Sequence, residues 1–173
     1  MRPTTTPGDR LTAFGNQLID VHRRLREELA RLRHDLDAHL EGRAERPKDL
    51  RAHCLAFCSA LERHHTGEDT VAFPALAEHA PELRPVLEEL TRDHGQVSAM
   101  LRTFQGLLDD LATAGTAEAR RLRGELDGLA ALVESHFTYE ERKIVAALDT
   151  LRAPEWTASP PAFLLPPETR SAF

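Results

Sequence analysis

Aromatic residues are scarce in this chain, at 5% of 173 positions with one Trp and one Tyr. So poor a supply of aromatic side chains, with few β-branched ones, argues against a many-stranded sandwich or barrel. There are only two cysteines, Cys54 and Cys58. Four residues apart on one helical stretch, they are badly placed to bridge each other and build no disulfide framework. No apolar run reaches the 18 residues a membrane-spanning helix needs, and the first twenty residues hold no apolar core of signal-peptide type. Lysine is nearly missing, with Lys48 and Lys143 alone among 22 basic residues, a bias we ascribe to base composition rather than chemistry. The formal charge is −6 and no block of basic residues occurs, which argues against nucleic acid or an anionic membrane as partner. A soluble, cytoplasmic protein is expected.

What the chain does have is a helical period and nine histidines. Apolar residues recur at steps of three and four through Leu11, Phe14, Leu18, Leu25, Leu29, Leu32 and Leu36, with His22 on the same face. Gly42 and Pro47 place a turn near 41–48. The second run is Leu50, Cys54, Phe57, Leu61, His64, Glu68, Val71 and Ala75, with a kink expected at Pro74. After Pro81 and Pro85 a third run carries Leu87, Leu90, His94, Val97, Leu101, Phe104, Leu108 and Leu111. The fourth, beyond Gly115, carries Leu122, Leu126, Leu129, Val133, His136, Glu140, Ile144, Ala147 and Leu151. Four amphipathic helices with short connections predict an all-α, antiparallel up-down-up-down four-helix bundle over residues 1–152. Residues 153–173, with five prolines and no helical period, form a C-terminal tail. Its Trp156, Phe163, Leu164 and Leu165 are able to lay it over the bundle or a neighbouring subunit; a freely flexible tail is the competing expectation.

The sequence repeats itself with an offset of 72: His22 maps onto His94, His64 onto His136, Glu68 onto Glu140 and Asp69 onto Glu141. Apolar positions agree, Leu25 with Val97, Leu61 with Val133 and Leu76 with Leu148. Each half is one helical hairpin. His22 and His64 are equidistant from position 43, inside the first turn, and His94 and His136 from position 115, inside the second. Two hairpins related by an approximate two-fold therefore bring four imidazoles and two carboxylates to one level of the core. Each of the six stands where the pattern calls for an apolar residue, and a buried polar group without a partner costs several kcal/mol. A metal centre meets that cost. Two ions bridged by the two carboxylates suit six ligands spread over a helical turn, and imidazole with carboxylate suits iron, zinc, manganese or copper. With a bridging oxo or hydroxo group the donors fall short of two complete octahedra, which leaves open positions for a small ligand.

The segments His64-His-Thr-Gly-Glu68-Asp and His136-Phe-Thr-Tyr-Glu140-Glu resemble those of the hemerythrin-like, or HHE cation-binding, domain family. The resemblance covers roughly residues 12–151 and implies a non-haem centre of two iron ions in a four-helix bundle. The ligands it implies are His22, His64, Glu68, His94, His136 and Glu140. Oxygen-carrying hemerythrins use five histidines, two of them on the third helix, and an aspartate. The present pattern is closer to the variants with four histidines and two glutamates. Reaction with, or binding of, O2, peroxide or nitric oxide is the function it implies, with sensing or storage of O2 or iron as the alternative.

Several neighbouring residues carry weaker expectations. A one-residue shift would replace His64 and Glu68 by His65 and Asp69, but the repeat favours the former pair. Asp69 and Glu141 are expected to hold imidazole N–H groups or to lie in solvent. Tyr139 faces either a bound oxygen species or water. Gly67 opens space beside the site, Cys54 and Cys58 are buried small residues, and His34, His39, His53 and His79 lie off the seam. A ferritin-like centre would need Glu-x-x-His on two helices; only Glu62-Arg-His-His65 fits, and Glu62 is off the seam.

Overall fold

A computed structural model of the chain describes residues 13–43, 47–111 and 115–167. Four long helical rods carry almost everything: α1 (Phe14–Leu40), α2 (Pro47–Gly67) continued by α3 (Phe73–His79), α4 (Arg84–Asp109) and α5 (Thr116–Thr150). Among the described residues there is no strand. Gly42, at φ 71°, stops α1 in the left-handed conformation that a residue with a Cβ adopts reluctantly. No side chain of its own segment caps the start of α1; Asp149 of α5 does so, accepting from the Gly15 N–H at 2.9 Å.

Side-chain pairs fix the directions. Arg26 meets Glu134, Arg33 meets Asp127 and Arg123 meets Asp37, so α1 and α5 run antiparallel. Tyr139 with Glu89 and His136 with Asp93 set α5 antiparallel to α4, and Arg51 with Asp109 and Asp69 with His94 set the second rod antiparallel to α4. The apolar seams read from the sequence are buried, from Leu18 to Leu36 on α1, Leu87 to Leu108 on α4 and Leu122 to Ile144 on α5. Leu11 of the first seam lies outside the described residues. The core is not continuous. One apolar cluster, around Leu32, Phe57, Phe104 and Leu126, fills the end of the bundle near the two hairpin turns. A second, around Leu18, Leu76, Leu90 and Ile144, fills the other.

The second rod departs from the sequence reading. The kink expected at Pro74 is taken up one turn earlier, by a π-helical turn at Glu68–Ala72 in which the Phe73 N–H donates to the Glu68 carbonyl five residues back. Pro74 supplies no N–H and its ring crowds the carbonyl four residues before it, a conflict that widening the turn relieves. The extra residue rotates the remainder of the rod about its axis. Val71 is therefore exposed and Ala72, Phe73 and Leu76 are buried in place of Val71 and Ala75.

The described part of the tail is not free. A short helix, α6 (Pro154–Ala158), and a 3-10 turn at Ala162–Leu164 bring Trp156, Phe163 and Leu164 into the second apolar cluster, while Leu165 stays exposed. Trp156 packs edge-on against Phe14 and Phe163, with ring centroids 5.2 and 5.4 Å apart. No helix among the described residues is long and apolar enough to cross a membrane.

Candidate metal centre

Between the two apolar clusters lies a layer of buried polar side chains: His22, His64, His65, Glu68, His94, His136 and Glu140. All six residues singled out by the 72-residue repeat are in it, and none is more than 4% exposed.

Each of the four repeat histidines has its outer nitrogen committed. His22 Nδ1 donates to Glu141 Oε1 at 2.9 Å and His94 Nδ1 to Asp69 Oδ1 at 2.7 Å. His136 Nδ1 donates to Asp93 Oδ2 at 3.2 Å, and His64 Nδ1 to the backbone carbonyl of Phe163 at 3.1 Å. A carboxylate or a carbonyl can only accept, so all four rings carry hydrogen on Nδ1. Their Nε2 atoms then turn inward in pairs, His22 with His64 and His94 with His136, each pair 3.0 Å apart. Two lone pairs do not sit at that distance unless a cation, a proton or a metal ion, lies between them. Flat rings hold the imidazoles in place: Phe137 stacks on His22 at 3.9 Å and Phe73 on His94 at 5.5 Å.

The carboxylates lie one turn further along the helices. Glu68 directs Oε1 to His64 Nε2 (2.9 Å) and His22 Nε2 (3.8 Å), and Oε2 to His94 Nε2 (3.2 Å). Glu140 directs Oε1 to His22 Nε2 (3.9 Å) and Oε2 to His136 Nε2 (3.1 Å). All four oxygens are buried and accept no hydrogen bond among the described residues. Donor atoms of His22, His64 and Glu68 fall within 4.8 Å of one another, as do those of His65, Glu68, His94 and His136, so the two groups share Glu68. Buried carboxylates without donors, facing imidazole nitrogens whose other ends are tied, are the donor set of a cation site.

The charges agree. Burial alone would raise the Glu68 carboxyl, but the imidazoles of His64, His22 and His94 outweigh it and hold the group well below the usual carboxylate range. Burial and the neighbouring Glu68 charge push Glu140 upward. Burial disfavours charge on His22 and His94 too; Glu141 with Glu68 on the first, and Asp69 with Glu68 on the second, overcome it and raise each to about 9. The metal-free site is a nest of negative charge that holds protons in the absence of a stronger cation.

His65 is the member that the repeat did not single out. Its ring stacks on His94 at 4.0 Å, and its Nε2 is buried without a hydrogen bond. Burial and the nearby His94 keep it neutral, its pKa well below the ordinary value. It lines, with Thr66, Asp69, His94, Gly95 and Ser98, a cleft of about 330 Å³ between α2 and α4. Asp93 and the Phe163 carbonyl were also invisible to the repeat, because neither recurs in the other half. Tyr139 points outward: its hydroxyl donates to Glu89 at 2.6 Å, with the Lys143 ammonium over its ring. The two cysteine thiols are buried in the first apolar cluster, and burial pushes them up to about 12 and 11.

An antiparallel bundle with a buried cluster of histidines and glutamates between two apolar caps defines a helical cation-binding protein. The hemerythrin HHE cation-binding domain model matches residues 15–148, most of the chain, and the protein belongs to that family. No curated protein and no solved structure matches it.

Proposed function

We propose that the centre holds two iron ions, with His22, His64, Glu68, His94, His136 and Glu140 as ligands, and that it binds or reduces a small oxidant. The observation that carries this reading is the division of the two carboxylates: each glutamate offers one oxygen to the His22–His64 pair and the other towards the His94–His136 pair. A carboxylate placed so would be able to hold an ion with each oxygen. The mixed set of imidazole and carboxylate donors is one that iron takes. When bound, two ferrous ions supply electrons and open coordination positions to O2, peroxide or nitric oxide.

The chain's own residues then set the conditions. Glu141, Asp69 and Asp93 orient three imidazoles. The two apolar clusters keep bulk water from both ends of the layer. His65, outside those six ligands, sets a further imidazole beside the His94–His136 pair, where His22 has Phe137. The α2–α4 cleft reaches His65 and His94 from outside and suits a diatomic or peroxide. Two free, buried thiols fit a reducing compartment, and we place the protein in the cytoplasm.

Metal analysis of protein purified without added metal tests the reading, followed by spectra of the anaerobically reduced form after O2, peroxide and nitric oxide. About two irons per chain and an absorption band that forms and decays with one oxidant are expected. A stable, reversible O2 spectrum would indicate storage or sensing instead. Two zinc ions and no response would refute the reactive centre.

A further inference from the structure

The two-fold relation between the hairpins fails at the partner of His64. Under the 72-residue offset His22 with Glu141 maps onto His94 with Asp69, and both pairs are hydrogen-bonded. His136 is held by Asp93, whose mate in the first half is Val21, a residue that accepts nothing. His64 would therefore lack a partner for its Nδ1–H. The acceptor comes instead from outside the repeat, and outside the matched residues 15–148: the backbone carbonyl of Phe163.

Its approach is built into the helix opposite. Gly67 faces the 3-10 turn so closely that a Cβ there would lie 3.0 Å from Phe163 Cβ and 3.1 Å from Phe163 N. The mate of Gly67 is Tyr139, whose hydroxyl donates to Glu89 on the neighbouring helix. The Phe163 side chain is fully buried and Trp156 packs against it, so the carbonyl is held by an anchored turn. A bare glycine in mid-helix weakens the helix relative to alanine, and here it makes room for the strap.

We propose that the strap at Pro161–Leu164 is part of the metal centre, with Phe163 as the positioning residue for His64. Its carbonyl fixes the ring's tautomer and direction, so occupancy of the His22–His64 half depends on the strap being docked. The carbonyl is neutral where the other three acceptors are carboxylates, and His65 stands beside the other pair alone, so this half binds metal more weakly. The inference rests on the two-ion reading above.

The test uses the full-length chain, titrated anaerobically with ferrous ion, and Gly67→Ala, Phe163→Ala, Phe163→Leu and Leu165→Ala. Wild type is expected to take up two equivalents. Gly67→Ala and Phe163→Ala should keep one equivalent at wild-type affinity and bind the second at least ~10-fold more weakly, the scale of lost outer hydrogen bonds at metal sites. Phe163→Leu should restore much of the second step, and Leu165→Ala, exposed and just past the strap, should change neither. NMR of the metal-free proteins reads the same contact without metal: the His64 Nδ1–H should exchange slowly in wild type and fast in the two disruptive variants, with those of His22, His94 and His136 unaffected. If Phe163→Ala fails to fold, Gly67→Ala, one methyl larger, carries the comparison. Unchanged second-step affinity in a variant that has lost His64 Nδ1–H protection overturns the proposal, as does protection that survives in Gly67→Ala. A wild-type chain that binds no ferrous ion overturns the two-ion reading itself, and the NMR result then stands alone as a test of strap docking.

Discussion

Glu68→Gln is the substitution that bears hardest on the site, because it keeps the side chain's volume and removes only its charge. Glu68 is fully buried, with imidazole nitrogens 2.9 and 3.2 Å from its two oxygens. At an effective dielectric of about 20, Coulomb's law gives ~5 kcal/mol for the contact with His94, which holds its proton at pH 7. The desolvation of a buried carboxylate cancels much of that, and removal of one partner from a buried pair costs about 3–5 kcal/mol. For a chain of this size each kcal/mol moves Tm by ~2–4 °C. Metal-free Glu68→Gln should therefore melt roughly 6–20 °C below wild type at pH 7, as read by circular dichroism at 222 nm. The sign with pH comes from the depressed carboxyl: its contribution is present above about 4.5 and is lost as pH falls through the lower, folded-state value. The gap between the two proteins should close in acid. In the same variant ferrous uptake should fall from two equivalents to one or none, since the carboxylate common to both donor groups is gone. Glu78→Gln, at an exposed position, is the control. If Glu68→Gln melts with wild type and still takes up two ions at wild-type affinity, the shared-carboxylate geometry is wrong.

The same layer sets two further outcomes. Asp69→Asn, which weakens the 2.7 Å acceptor of His94 without touching a metal donor, should lower ferrous affinity by about 10–100-fold with little change in helicity; isotherms superimposable on wild type would remove Asp69 from the site. In the metal-free protein His22 and His94 hold protons to about pH 9, above the 6.5 of a free imidazole, so their contribution is complete below 6.5 and lost as pH rises through 9. Scanning calorimetry should show metal-free stability falling over that window, by up to about 3 kcal/mol per histidine, while ferrous affinity rises as the competing protons leave. A flat profile between pH 6 and 9 would contradict the charge arrangement.

The six polar positions that interrupt the apolar seams, and their doubled spacing, were legible without coordinates because a helix converts spacing in sequence directly into position on a face and height along an axis. Hairpin symmetry converts equal distance from a turn into equal depth. By that arithmetic alone His22, His64, His94 and His136 share a level, with Glu68 and Glu140 one turn away, and the periodicity of the four rods required the bundle. Asp69 and Glu141 were legible as candidates for the same reason. What the spacing could not carry is anything set by contacts between remote segments or by a break in the period. The π turn at Glu68–Ala72 shifts the seam by one residue, so Val71 exchanged places with Ala72. His65 entered the buried layer beside His94, although an i+1 neighbour of a seam residue would be placed on a flank. Asp93 reaches His136 across two helices, and Phe163 reaches His64 from 99 residues away through a backbone carbonyl, an atom every residue possesses and no sequence pattern can mark. The sequence by itself determined the helices, their pairing and the six polar side chains that share one layer. Only the tertiary structure decided how each imidazole is oriented, because that depends on the partner of its outer nitrogen, and the partner is chosen by packing in three dimensions.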